Sequence, residues 1–220
     1  MLDILYKDHQ VIALNKPAGI AVQTDKTGDP AFQSQVEGYC KQPIHAVHRL
    51  DRPVSGIVLF AKTKTAMTAL TEQFRDRTVE KTYLAVVQNL PPAAEGTLVH
   101  FLRKNESKNL AKAFNEELPG AERAEIRYRL LGSSERYHLL EIQLITGRHH
   151  QIRAQLAAIG CPVKGDVKYG FRRSNRDRSI HLHAWKIAFD HPVSGERIRL
   201  KASLPAEDAV WQAFEKLLEA

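Results

Sequence analysis

Along this 220-residue chain, apolar side chains alternate with polar ones over short stretches more often than they recur at helical spacing. Ile4-Leu5-Tyr6 and Val11-Ile12-Ala13-Leu14 predict two short strands, stopped by the turn Lys16-Pro17-Ala18-Gly19. Residues 55–61 are nearly continuously apolar, as in a strand buried on both faces. Ala66, Met67, Leu70 and Phe74 then recur every three or four positions and form one helical stripe. Strand character returns over residues 79–87 and ends before Pro91-Pro92. Residues 103–120 are rich in Lys, Asn and Glu with little periodicity, which predicts an exposed insertion.

Alternation over residues 124–131 and 137–145, around Gly132-Ser133-Ser134-Glu135, predicts a hairpin. Ile152, Leu156 and Ile159 predict a short helix closed by Gly160, with Pro162 just beyond. Residues 181–189 and 197–202 flank His191-Pro192-Val193-Ser194-Gly195 and predict a second hairpin. Residues 205–220 predict a C-terminal helix, with Glu207 and Asp208 near its start and Val210, Phe214 and Leu217 on one face. Many strands with few helices between them imply the α+β class: a mixed, mostly antiparallel central sheet flanked by helices and loops, in a single domain over residues 1–220.

With 43% hydrophobic residues, the chain is neither disordered nor collagen-like. No apolar run approaches the length of a membrane helix, and the N-terminal residues lack a secretory pattern, so a cytoplasmic protein without membrane association is expected. Cys40 and Cys161 are too far apart and too few for a disulfide framework or a cysteine zinc site, and both read as buried small hydrophobes. A formal charge of +7 favours a polyanionic partner, of which nucleic acid is the commonest.

Residues 45–56 concentrate polar and charged groups just before the buried strand. Asp51 lies there between Arg49 and Arg52, whose charges favour the ionised carboxylate. A catalytic group and a surface ion pair in a turn both fit that pattern. Residues 146–153, Thr146-Gly147-Arg148-His149-His150-Gln151-Ile152-Arg153, run from a strand end into a helix and present donors suited to an anion. His149-His150 and His181-x-His183 have no accompanying carboxylate or cysteine constellation, so no metal site is expected, and no nucleotide fingerprint is present. His48 and His183 are expected to orient loops.

His48-Arg49-Leu50-Asp51 with Ser55-Gly56, then Lys81-x-Tyr83, then Gly147-Arg148-x-His150-Gln151-Ile152-Arg153, in this order and spacing, resemble the RluA family of RNA pseudouridine synthases. Asn15-Lys16-Pro17-Ala18-Gly19, Gly165-Asp166-x-Lys168-Tyr169-Gly170 and Leu182-His183-Ala184 also resemble family segments, so the likeness runs from about residue 2 to 204. The resemblance implies the pseudouridine synthase fold and a cofactor-free isomerisation, in which uracil is detached from ribose, turned and rejoined through C5.

It further implies that Asp51 is the essential carboxylate, that Arg153 pairs with it, and that Tyr83 lies against the uracil and acts in removing the C5 proton. Arg49 would fill the space a flipped nucleotide vacates, or else form an ion pair with Asp51. Arg52, Arg148 and His150, with Arg172, Arg173, Arg176 and Arg178, are the other expected RNA contacts, and Arg103, Lys104, Lys108 and Lys112 could add to them. Structured ribosomal or transfer RNA is the implied partner, acted on by a monomer without an obligatory protein partner. An RNA-binding or RNA-remodelling protein on the same scaffold is the alternative. Two departures stand out: Val54 occupies a place where Thr is common, and the family's frequent S4-type RNA-binding module is expected to be absent.

Overall fold

Every side chain from Val11 to Leu14 is fully buried, and so is the run from Val58 to Ala61, which is why two apolar segments so short still form the centre of a sheet. A computed structural model of the chain describes residues 2–24 and 28–219. In chain order its elements are β1 (Asp3–Lys7), β2 (Val11–Lys16), α1 (Phe32–Cys40), β3 (His45–Ala46), β4 (Ser55–Ala61), α2 (Lys64–Arg75), β5 (Glu80–Val87) and β6 (Glu95–Asn105). There follow β7 (Leu110–Phe114), β8 (Glu122–Ser133), β9 (His138–Leu144), α3 (Gln151–Ala158), a 3-10 turn at Val167–Tyr169, β10 (Leu182–Asp190), β11 (Arg197–Lys201) and α4 (Ala209–Glu219). The architecture is α+β, with a mixed, mostly antiparallel sheet, as the alternation pattern implies.

The chain forms two compact units. The first holds residues 1–81 and 184–205. In it β2 pairs antiparallel with β1 on one side and with β4 on the other, with Lys16 opposite Gly56, and β10 pairs antiparallel with β11. Helix α2 begins at Thr63, whose side chain accepts from the Ala66 amide, and it lays Ala66 and Leu70 on Leu59, Ile187 and Phe189.

The second unit holds residues 82–183 and 206–220, with strand order β5-β9-β8-β6-β7. Register in β5 and β9 sets Tyr83 opposite Ile142. A small cluster of Leu102, Ala111, Ala124 and Ala154, with Tyr169 against it, packs the β6–β7 hairpin onto α3.

Three sequence expectations change. Residues 103–120, expected as an exposed insertion, are exposed over 103–109 but contain the end of β6 and all of β7, with Arg103 opposite Lys112 and Ala111 buried. The alternation is masked because the outward positions are Arg, Lys and Asn. The C-terminal helix starts later than residue 205, because the Asp208 carboxylate accepts from the Val210 and Trp211 amides and so fixes the first turn. Cys161 is buried, but Cys40 is only partly so. No helix among the described residues is long and apolar enough to cross a membrane.

Candidate active site

In the first unit, Asp51 sits on a turn closed by a backbone bond from Val54 N to Asp51 O of 3.0 Å. This closing bond is made by the backbone, so it does not depend on a Thr hydroxyl at position 54. Its neighbour Arg52 is fastened twice: its carbonyl accepts from the Gly19 amide at 2.8 Å, and its guanidinium pairs with Asp29 at 2.6 Å. The turn at 16–19 and the turn at 51–54 are thus one bonded structure. Gly19 adopts φ +91°, which only glycine takes cheaply, and this orients its amide toward Arg52.

Lys16 belongs to the same cluster of the first unit. It ends β2 with its side chain fully buried, donating from Nζ to the carbonyls of Pro17 at 2.8 Å and Ile20 at 2.9 Å. Burial pushes its ammonium down to about 7, while the nearby Asp51 carboxylate pulls the other way. A period of two from Ile12 and Leu14 already puts position 16 on their face, so a signal for this residue was present in the strand pattern.

His48, expected to orient a loop, does so: its Nε2 accepts from the Leu59 amide at 3.0 Å and its ring stacks on Phe74 with centroids 4.9 Å apart. Burial, reinforced by the Lys81 charge, pushes the imidazole down to about 3, so it stays neutral and keeps the lone pair that the bond needs. Lys81 itself is pushed down by burial and lies over the Phe74 ring at 5.5 Å.

The second unit holds the other residues. Tyr83 lies on β5, 8% exposed. The segment leading to Arg153 is wired to β8 through Gln151. The Gln151 Oε1 accepts from the Thr146 hydroxyl (2.8 Å) and the Arg148 amide (2.9 Å), while its Nε2 donates to the Glu125 carbonyl at 3.0 Å. His150 takes the left-handed conformation, φ +51°, just before α3, and its Nδ1 lies 2.9 Å from the Tyr169 hydroxyl. That hydroxyl also accepts from the Ala111 amide at 2.8 Å.

Arg153, 4% exposed, donates from Nε and Nη2 to the two carboxylate oxygens of Asp166, at 2.6 and 2.9 Å, and lies 5.0 Å over the Tyr169 ring. Asp166 is 1% exposed. A bidentate pair fixes both the plane and the charge of a guanidinium, which a monodentate contact does not. Asp166 stands within the segment Gly165-Asp166-x-Lys168-Tyr169-Gly170, but a partner thirteen residues away leaves no local signal of its role.

The expected RNA-contacting side chains fall into two sets. Arg148 pairs with Glu122 at 2.6 Å, Arg52 with Asp29, and His150 is buried against Tyr169. Among the described residues, the exposed side chains of Arg49, Arg172, Arg173, Arg176 and Arg178 make no hydrogen bond or ion pair, so the alternative role of Arg49 as an ion-pair partner of Asp51 is not formed. Arg103 and Lys112 flank the Phe114 ring at 5.2 Å each.

A family model described as RNA pseudouridylate synthase matches residues 10–158. The chain is 34% identical over 216 residues to the "Uncharacterized RNA pseudouridine synthase YhcT" of Bacillus subtilis (strain 168), across 94% of this chain and 70% of that one. It is 33% identical over 233 residues to tRNA pseudouridine synthase C of Pectobacterium carotovorum subsp. carotovorum, across 96% of this chain and 61% of the relative's length. In fold it matches the solved structure of Human RNA Pseudouridylate Synthase Domain Containing 1, with a TM-score of 0.79 at 23% identity, over 100% and 96% of the two chains. Motifs and relatives converge: the chain belongs to the RNA pseudouridylate synthase family.

Proposed function

We propose that Asp51 is the carboxylate on which this family member's isomerisation of uridine to pseudouridine turns, with Arg153 and Tyr83 as its working partners and structured RNA as its substrate. The observation that carries this reading is the fastening of the Asp51 turn over the buried ammonium of Lys16. With the Asp51 carbonyl accepting from Val54 and the Arg52 carbonyl from Gly19, the main chain that carries the carboxylate loses little freedom when a ribose arrives, and that preorganisation is what attack at C1′, or assistance to a departing uracil, requires. Arg153 steadies the carboxylate, and Tyr83 supports the uracil and takes part in moving the C5 proton.

A uridine stacked in a stem is out of reach, so the nucleotide leaves the stack at a cost of about a few kcal/mol, and Arg49 fills the gap. Its exposed, unengaged guanidinium supports that role. Arg52, Arg148, His150 and the arginines from 172 to 178 contribute the wider RNA surface. Several relatives are named tRNA pseudouridine synthase C, which favours transfer RNA over ribosomal RNA as substrate. The protein works as a cytoplasmic monomer without cofactor.

Asp51→Ala, assayed with unmodified tRNA and ribosomal RNA for both binding and pseudouridine, tests this. RNA binding within twofold of wild type and product reduced by at least about a thousandfold are expected. Undiminished product would remove Asp51 from the chemistry. Wild-type protein that binds RNA and makes no product would favour the binding-protein alternative.

A further inference from the structure

We infer that Asn175 is a positioning residue that fixes the arginine segment 172–178 in advance for an RNA phosphate backbone. The inference rests on the RNA-modifying role proposed above and adds the device that holds one part of its docking surface.

Exposed loops rich in arginine are ordinarily mobile, and a mobile loop must be ordered on binding at a cost in affinity. This one is pinned from within. The Asn175 side chain points inward, where its Oδ1 accepts from Lys164 Nζ at 2.8 Å and its Nδ2 donates to the Ser179 carbonyl at 2.9 Å. Nδ2 also lies 3.0 Å from Nδ1 of His181. Both ends of one short amide are thus tied to three different points of the chain.

Gly165 makes room for it: a Cβ there, at φ +87°, would stand 2.7 Å from Asn175 Nδ2 and 2.9 Å from the Ser179 carbonyl oxygen. The backbone follows the same plan. Arg178 N bonds to the Asn175 carbonyl at 3.1 Å, and the Asp177 carboxylate accepts from both the amide and hydroxyl of Ser179. The one acidic group of the segment is therefore turned onto the loop itself.

The anchors are themselves rigid. His181, 1% exposed, bonds through Nε2 to Asp208 at 3.0 Å and stacks on Trp211 at 5.3 Å, which joins the loop to the start of α4. Its backbone bonds Lys164 on one side and Val86 of β5 on the other. At the other end, the Asp166 carbonyl accepts from the amides of Tyr169 and Phe171, so the residue that holds Arg153 also holds the start of the arginine segment.

What remains on the outside is the four guanidiniums, at 172, 173, 176 and 178, exposed and without protein partners among the described residues. By contrast, Arg75, Arg123, Arg129, Arg148 and Arg197 each pair with a carboxylate. Guanidiniums presented on a fixed backbone suit a spaced row of phosphates, a partner that supplies the bidentate acceptors this loop does not contain.

The test compares Asn175→Ala, the isosteric Asn175→Asp, an Arg172→Ala/Arg173→Ala/Arg176→Ala triple variant, and the triple combined with Asn175→Ala. Binding of unmodified tRNA and ribosomal RNA transcripts is followed against salt, with pseudouridine formation at saturating RNA. The Asp variant keeps an acceptor for Lys164 but sets a second acceptor against the Ser179 carbonyl and His181.

Either single substitution at 175 should weaken RNA binding about five- to tenfold through lost preorganisation, with turnover at saturating RNA within twofold. The triple variant should lower the slope of log affinity against log salt by about two. On that background, Asn175→Ala should add less than a twofold loss. A purely structural asparagine would lower turnover as well and would cost as much without the arginines as with them; either result overturns the inference, as does wild-type affinity in both Asn175 variants. RNA binding that behaves as expected in a protein making no pseudouridine would sink the proposed chemistry and leave the docking device standing.

Discussion

Replacing Asp166 with Asn leaves the volume of the site unchanged and removes one charge from it. Arg153 and Asp166 are 4% and 1% exposed, and Arg153 donates two hydrogen bonds of 2.6 and 2.9 Å to the Asp166 carboxylate, so the substitution takes the charge of a bidentate acceptor away from a buried guanidinium. Removing one partner of such a pair costs about 3–5 kcal/mol. For a chain of this size each kcal/mol lowers the melting temperature by about 2–4 °C, which gives a drop of about 6–20 °C. Pseudouridine formation at a temperature where the variant is folded should also fall, because Arg153 loses the plane that two parallel bonds impose.

The double variant Arg153→Met/Asp166→Leu separates the two effects. With both members of this pair removed, neither is left buried without the other, so thermal stability should recover most of the loss, while activity stays lost. Circular dichroism melts and nucleoside chromatography of treated RNA read both quantities. An Asp166→Asn protein that melts within about 2 °C of wild type and modifies RNA at the wild-type rate would refute the claim that this pair sets Arg153.

Two further outcomes follow from the first unit. The His48 imidazole, about 6.5 when unfolded and pushed to about 3 when folded, binds its proton first in the unfolded chain. The stability it protects is therefore complete above 6.5 and is lost as pH falls toward 3, at up to about 1.4 kcal/mol per pH unit; His48→Gln should flatten that slope in urea titrations between pH 6.5 and 4.5, and an unchanged slope would show that another group is responsible. Gly56, at φ +111°, has no space for a side chain: a Cβ would stand 2.5 Å from Ala184 N and 2.7 Å from its carbonyl carbon. Gly56→Ala should cost about 2–6 kcal/mol from strain and overpacking together, and a melting temperature equal to wild type would contradict it.

The sequence made the central strands legible because burial on both faces or on alternate faces writes itself into residue type, as in β2, β4, β8 and β9. Helix α1 was not visible, since only Phe32 and Val36 of its nine residues are buried and two apolar positions make no stripe. Strand β6 escaped because one of its two buried positions is His100, a polar residue where the pattern needs an apolar one. In the proposed site, motif order is what points to Asp51, Tyr83 and Arg153. Lys16 is marked as interior by the period of two from Ile12 and Leu14, but motif order could not disclose the work of Asp166 and Asn175, because contacts that join distant loops depend on folded geometry rather than local spacing.

The end strands β1 and β7 also bear on how the protein behaves in concentrated solution. Unpaired amides and carbonyls along a sheet margin invite another chain to add a strand. Here one margin, β1, changes register between Ile4 and Tyr6, and the other, β7, is five residues long with a lysine at its middle. Neither offers a straight, neutral row of donors and acceptors, so neither of these two strands is a ready template for fibrous self-association when copies crowd together on RNA.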